Sequence, residues 1–179
     1  MDTPSDAPTA TSPGPSGGLP AEAVARLVVD AARVLASIRY VALATTGPDG
    51  SPHVSPVFFT RDGTDVYWVS SPDAHHSRNV EREPRVEGVV FDSTVRVGDA
   101  EAVYVTGQAR VVRDDELAVR CVAAYADRRD GVAFEPAELS GDADLRLYVL
   151  EVASWEVLVR GRDPELGTGI DRRVPVPRV

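Results

Sequence analysis

The chain has 179 residues, 43% of them apolar, enough for one domain with a sizeable core. Its 19 Lys and Arg against 28 Asp and Glu give a formal charge of -9, which excludes a general affinity for nucleic acid or anionic membrane. Cys121 is the single cysteine and His53, His75 and His76 are the histidines. An intrachain disulfide, a cysteine metal cluster and the multi-histidine zinc spacings are thereby excluded, and no metal ligand is assigned.

Residues 1–19 are rich in Pro, Ser, Thr and Gly and are expected to form a disordered N-terminal tail. Pro20 to Arg39 reads as an amphipathic helix, with Val24, Leu27, Val28, Ala31, Leu35 and Ile38 on one face. The pattern then turns to β. Tyr40–Thr46, Ser51–Thr60 and Asp65–Ser70 are separated by the turn signals Gly47-Pro48-Asp49-Gly50 and Arg61-Asp62-Gly63-Thr64, and they predict an antiparallel meander. Within the second of these, Pro56 cannot donate to a sheet ladder, so that strand belongs at an edge. Tyr67 and Trp68 point to opposite faces of the third.

The stretch after it carries the strongest local signal. Ser71 suits an N-cap, Pro72 the first helical position and Asp73 the positive end of a helix. His75, His76 and Arg78 then place cationic side chains where the backbone dipole is already positive. A bound anion at the same place, phosphate being the expected kind, is one physical reason to accept that arrangement; a solvated helix face is the alternative. With a charge of -9 overall, any anion site must be local.

Arg85–Asp92 is a fourth strand and Ala100–Val112 a fifth, in which Gly107 marks a bulge or bend. Asp114 caps a third helix with Leu117, Cys121, Ala124 and Tyr125 as its buried face. Phe134 and Leu139 tether the polar connection that follows. Leu145–Val159 is a last strand, bent near Ser154, and 164–179 read as a C-terminal tail around a domain of residues 20–163. The fold class is mostly β (α+β): a six-stranded antiparallel split β-barrel with peripheral helices. No apolar run is long enough to span a bilayer and no signal peptide is evident, so no membrane partner is expected and the expected location is the cytoplasm.

The runs VSPVFF (54–59), VYWVSS (66–71), HSRNVEREPRV (76–86) with VVFD (89–92), and VYVTGQARVV (103–112), in this order and spacing, resemble the pyridoxamine 5′-phosphate oxidase-like family. The resemblance covers roughly residues 21–160. It implies an FMN-binding split barrel and a homodimer with two flavin sites at the subunit interface. It further implies that Ser55, Pro56, Val57 and Phe58 lie along the flavin ring. Val69, Ser70, His75, His76, Ser77, Arg78 and Asn79 would hold the ribityl phosphate, and Trp155 would border the flavin of the partner, although core packing explains Trp155 equally well.

Two departures qualify what is implied. Where the family has Ser-Arg-Lys, this chain has Ala74-His75-His76, with less built-in charge. Where true pyridoxamine phosphate oxidases carry Arg-Leu-His-x-Arg, this chain reads VLVRGRDPELG, so that substrate is not expected. The reading is an FMN-binding oxidoreductase transferring hydride with a small-molecule substrate. The alternatives are a deazaflavin-dependent reductase and a non-enzymatic flavin-binding or storage module. No catalytic acid or base is assigned, because in flavin chemistry the cofactor itself carries the hydride.

Overall fold

A computed structural model describes residues 19–126 and 129–179; of the tail expected at 1–19, residues 1–18 lie outside them, and Leu19 packs against the core. In chain order the elements are α1 (Ala21–Ser37), β1 (Tyr40–Thr46), β2 (Pro52–Phe58), β3 (Thr60–Arg61), β4 (Val66–Ser70), α2 (His75–Arg82), β5 (Arg85–Phe91), β6 (Ala102–Val111), α3 (Asp114–Ala124), β7 (Arg146–Val159) and β8 (Arg172–Val176), with 3-10 turns at Arg129–Gly131 and Pro136–Leu139. All strand pairings are antiparallel, in the order β2-β1-β5-β6-β7-β4-β3, and β8 pairs with the far half of β7. The fold is mostly β, a curled antiparallel half-barrel with three helices.

The expected meander stops after its first hairpin. β1 and β2 pair from Tyr40↔Phe58 to Thr46↔Pro52, but β4 pairs with β7 rather than with β2. The single strand expected over 51–60 is broken at Phe59. That residue is fully buried, and its amide donates to the Arg39 carbonyl at 3.2 Å. Beyond it Thr60–Arg61 crosses to the opposite edge and pairs with β4. β2 is therefore an edge strand, as Pro56 requires.

Two cores result. The interior core takes Leu27, Ala31 and Leu35 from α1 with Val41, Leu43, Trp68, Val90, Val103 and Leu150 from the sheet. On the outer side, Tyr67, Leu147 and Val149 pack against Leu117, Cys121 and Ala124 of α3, with Leu139 and Phe134 closing over them. Trp68 and Tyr67 thus serve opposite faces of β4. Trp68 stacks on Tyr148 at 5.4 Å and 12°, and Tyr67 donates to Asp62 at 2.7 Å. The bulge falls where Gly107 announces it: the β6–β7 register slips between Thr106 and Gly107, opposite the predicted bend at Ser154.

The C-terminal segment is a correction. Residues 164–179 are part of the domain, because Leu166, Val174 and Val176 join the interior core and β8 extends the sheet. Its signal is short, with only Val174 and Val176 alternating across a strand that also contains Pro175. Among the described residues no helix is long and apolar enough to cross a membrane.

Candidate functional site

α2 begins three residues later than its sequence cues suggest. Ser71 organises the turn before it: its carbonyl accepts from Ala74 N at 3.1 Å and its hydroxyl from Asp73 N at 3.2 Å. Ala74, in extended conformation, is the N-cap residue, and no side chain caps the helix. The first intrahelical bond runs from Arg78 N to the Ala74 carbonyl. The amides of His75, His76 and Ser77 thus form the open first turn that an anion can bond.

Three elements bring side chains to this turn. From β2, Ser55 Oγ lies 3.2 Å from His53 Nε2. The His53 ring in turn sits 5.2 Å from that of His75, centroid to centroid. From β4, the last residue, Ser70, places its Oγ 2.9 Å from His76 Nε2. Arg78 stands at the rim, 53% exposed and 3.7 Å from Asp73. The ring of His76 is half-buried. Burial, and then the charge of nearby His53, hold it below the ordinary histidine range. At neutral pH it is a neutral imidazole that a bound anion would draw toward protonation.

Of the twelve residues expected to hold a cofactor, the structure brings Ser55, Ser70, His75, His76 and Arg78 together and disperses the rest. Pro56 alternates with Ser55 on β2 and is exposed. Val57 is buried in the interior core, and Phe58 packs edge-on against Tyr40 at 6.2 Å. Val69 packs toward the outer core. Ser77 and Asn79 occupy the buried face of α2. The Asn79 amide is committed to the fold: Nδ2 donates to Thr45 Oγ1 at 3.0 Å, and Oδ1 accepts from Arg82 at 3.0 Å. Trp155 is 5% exposed within the interior core of its own chain. One residue is gained. His53, not among the expected ligands, alternates with Ser55 and Val57 on β2 and so shares their face.

The donors suit a phosphate: three open amides, the Ser70 hydroxyl, the imidazoles of His75 and His76 and one guanidinium at the rim. Ser55, on an edge strand next to that turn, adds a hydrogen-bonding group for a planar ring.

The family model described as pyridoxamine 5′-phosphate oxidase matches residues 29–158, well over half of the chain. The chain belongs to the pyridoxamine 5′-phosphate oxidase family. Solved structures agree on the fold. HutZ, a heme storage protein of Vibrio cholerae, is 23% identical over 75% of this chain and 95% of its own, with a TM-score of 0.58. An F420 reductase is 25% identical over 69% of this chain and 93% of its own, with a TM-score of 0.51. A heme binding protein from Mycobacterium smegmatis is 22% identical over 83% of this chain, which spans only 57% of that protein, with a TM-score of 0.58. No curated protein matches the sequence. At such identities this is a divergent member of the pyridoxamine 5′-phosphate oxidase family.

Proposed function

We propose that the chain binds a flavin-type cofactor, FMN in the first instance, where β2 meets the start of α2, and serves as an oxidoreductase. The observation that carries this reading is the convergence of Ser70, His76, His75, His53 and Ser55 on an uncapped helix start beside an edge strand. When bound, the isoalloxazine ring supplies hydride transfer. The chain supplies an anchor: the open amides of α2 and the Ser70–His76 pair hold the phosphate, and Arg78 neutralises it from the rim. Ser55 bonds the ring's polar edge. The small-molecule substrate is a different one from pyridoxamine phosphate, since the 157–167 segment lacks the histidine expected to hold that substrate.

A deazaflavin is the second reading, supported by the likeness to an F420 reductase. It presents a phosphate to the same turn. A non-enzymatic flavin-binding or storage role is supported by the modest charge of the anchor, whose one guanidinium is largely exposed.

The homodimer belongs to this proposal. The outer face of β1, β2, β5 and β6 carries a shallow groove of about 240 Å³ lined by Ala42, Ala44, Val89 and Tyr104, with the Arg173 guanidinium, paired to Glu87, lying 3.7 Å over the Tyr104 ring, and Val54 at its side is 61% exposed. A second copy would cover the apolar part of this face, Val54, Ala42, Ala44 and Val89, and meet the Arg173–Glu87 pair at its edge.

The test is a fluorescence titration of the purified full chain with FMN and with a deazaflavin. FMN binding at micromolar or tighter affinity supports the leading reading, and deazaflavin binding alone supports the second. Binding of neither sinks both. With FMN bound, the double variant His76→Ala/Arg78→Ala is expected to weaken affinity by about 2–4 kcal/mol, the worth of two charge-assisted hydrogen bonds. Unchanged affinity would place the phosphate elsewhere.

A further inference from the structure

α2 has a second side. One helical step of about 100° turns Ser77 away from His76, and Ser77 lines a cleft of about 520 Å³ on the far flank of the helix, between α2 and the paired ends of β6 and β7. That volume falls in the range of small-molecule sites. Val80, Pro84, Ala109 and Val111 make apolar walls.

Two polar groups sit inside. The Ser77 side chain is 2% exposed, and its hydroxyl stands beside the Tyr148 phenol without closing a hydrogen bond at normal geometry. A buried hydroxyl without a partner is costly, and a ligand atom that bonds it recovers the cost. Burial raises the Tyr148 pKa, so the phenol remains a proton donor at neutral pH. Two cations flank the cleft, but they differ. Arg110 is neutralised by Glu116 and Glu151. Arg146 instead bonds the carbonyl oxygens of Gly141, Ala143 and Leu145, which fix the guanidinium without cancelling its charge. Glu81 is the acidic group that opposes it at the cleft.

We propose that this cleft is a second ligand site, distinct from the cluster at the helix start, for a flat, mostly apolar small molecule with one anionic group. The apolar body lies against Val80, Ala109 and Val111. An acceptor atom of the ligand takes the Ser77 and Tyr148 protons, and the anionic group faces Arg146.

The probe is 8-anilinonaphthalene-1-sulfonate, which has such a body and charge, titrated by fluorescence into the full chain. One saturable site per chain is expected. Ser77→Ala should weaken binding about fivefold, as for one lost neutral hydrogen bond, without loss of thermal stability, because it removes an unsatisfied hydroxyl. Val111→Trp, checked for native circular dichroism, should fill the cleft and weaken binding by about tenfold or more. Glu81→Arg, on an exposed helix position, should tighten it. Absence of a saturable site, unchanged dissociation constants in Ser77→Ala and Glu81→Arg, or displacement of the probe by excess FMN would each overturn the proposal. The last result would also show that a flavin binds, so this site and the cofactor reading fail separately.

Discussion

The Nε2 atom of His76 lies 2.9 Å from the hydroxyl of Ser70, joining the first turn of α2 to the end of β4. Burial first, and the charge of His53 second, depress the pKa of this imidazole. The sign of the pH effect follows. The unfolded chain takes up the His76 proton near the ordinary histidine value of about 6.5, before the folded chain does. Stability is therefore complete above that value, falls as pH drops through it, and levels off below the depressed folded pKa. Thermal melts of the cofactor-free protein from about pH 7.5 to about pH 5 should show a steeper loss in the wild type than in His76→Ala. Parallel curves would mean that His76 is not the group that resists protonation.

Asn79 predicts the opposite of a ligand. Its amide ties α2 to Thr45 at 3.0 Å and to Arg82, which in turn donates to the Thr46 carbonyl at 2.7 Å. Asn79→Ala removes two hydrogen bonds and leaves the buried Thr45 hydroxyl with only its 3.4 Å bond to the His53 carbonyl. We expect a loss of about 2–3 kcal/mol in urea denaturation. If stability is unchanged while FMN affinity collapses, Asn79 is a phosphate ligand after all.

The contrast between His76 and Asn79 shows what was legible in the sequence. The polar run 75–79 marked the anchor, and the apolar alternations marked every long strand. Local pattern does not say which polar residues face outward, since that depends on the roll of α2 against β1, and Ser77 and Asn79 fell on the buried side. The edge position of β2 was readable from Pro56, because the reason is local chemistry. That β4 pairs with β7, about eighty residues away, was not. Tight turns suggest neighbouring strands, and only the burial of Phe59 breaks that sequence of hairpins. β8 was missed for a related reason, a five-residue strand being supported almost entirely by its partner β7.

Gly107 is the position where the barrel tolerates least. A Cβ built there would stand 2.1 Å from the Glu151 carbonyl oxygen and 3.1 Å from Leu150 Cδ1. The first contact is backbone and cannot swing aside, so relief requires separating β6 from β7 at the bulge. Gly107→Ala should cost several kcal/mol, on the order of 3 or more, or abolish soluble expression. A variant within about 0.5 kcal/mol of wild type would show that the two strands approach less closely.

The proposed dimer makes Val54 informative. It projects from edge strand β2 with 61% exposure beside the groove on the outer face, so a charge there costs the monomer little. Val54→Lys should leave the melting temperature of the isolated subunit nearly unchanged while shifting the mass seen by light scattering from dimer to monomer. If FMN sites are completed by the second subunit, flavin affinity falls with it. A wild-type chain that runs as a monomer, or a variant that stays dimeric, removes this face from consideration.

Glu116 ties acid stability to the start of α3. Arg110 donates to both of its carboxylate oxygens while also reaching Glu151 at 2.7 Å, and the backbone N–H of Arg113 donates to Glu116 at 3.1 Å. The Arg110 bond, more than any other contact, lowers the Glu116 pKa to about 2. For a carboxylate with a depressed folded pKa, the stabilisation is present above the ordinary value and is lost as pH falls through the folded one. The relevant window therefore runs from the ordinary 4.5 down to about 2. Glu116→Gln keeps the shape but weakens the Arg110 bridge. It should cost about 1–2 kcal/mol at neutral pH, in the range of a lost helix cap with a charged hydrogen bond that is partly screened by solvent. Because the wild-type advantage titrates away inside the window, denaturation at about pH 3 should show a smaller gap than at pH 7. An equal gap at both would assign the effect to packing of the side chain rather than to its charge.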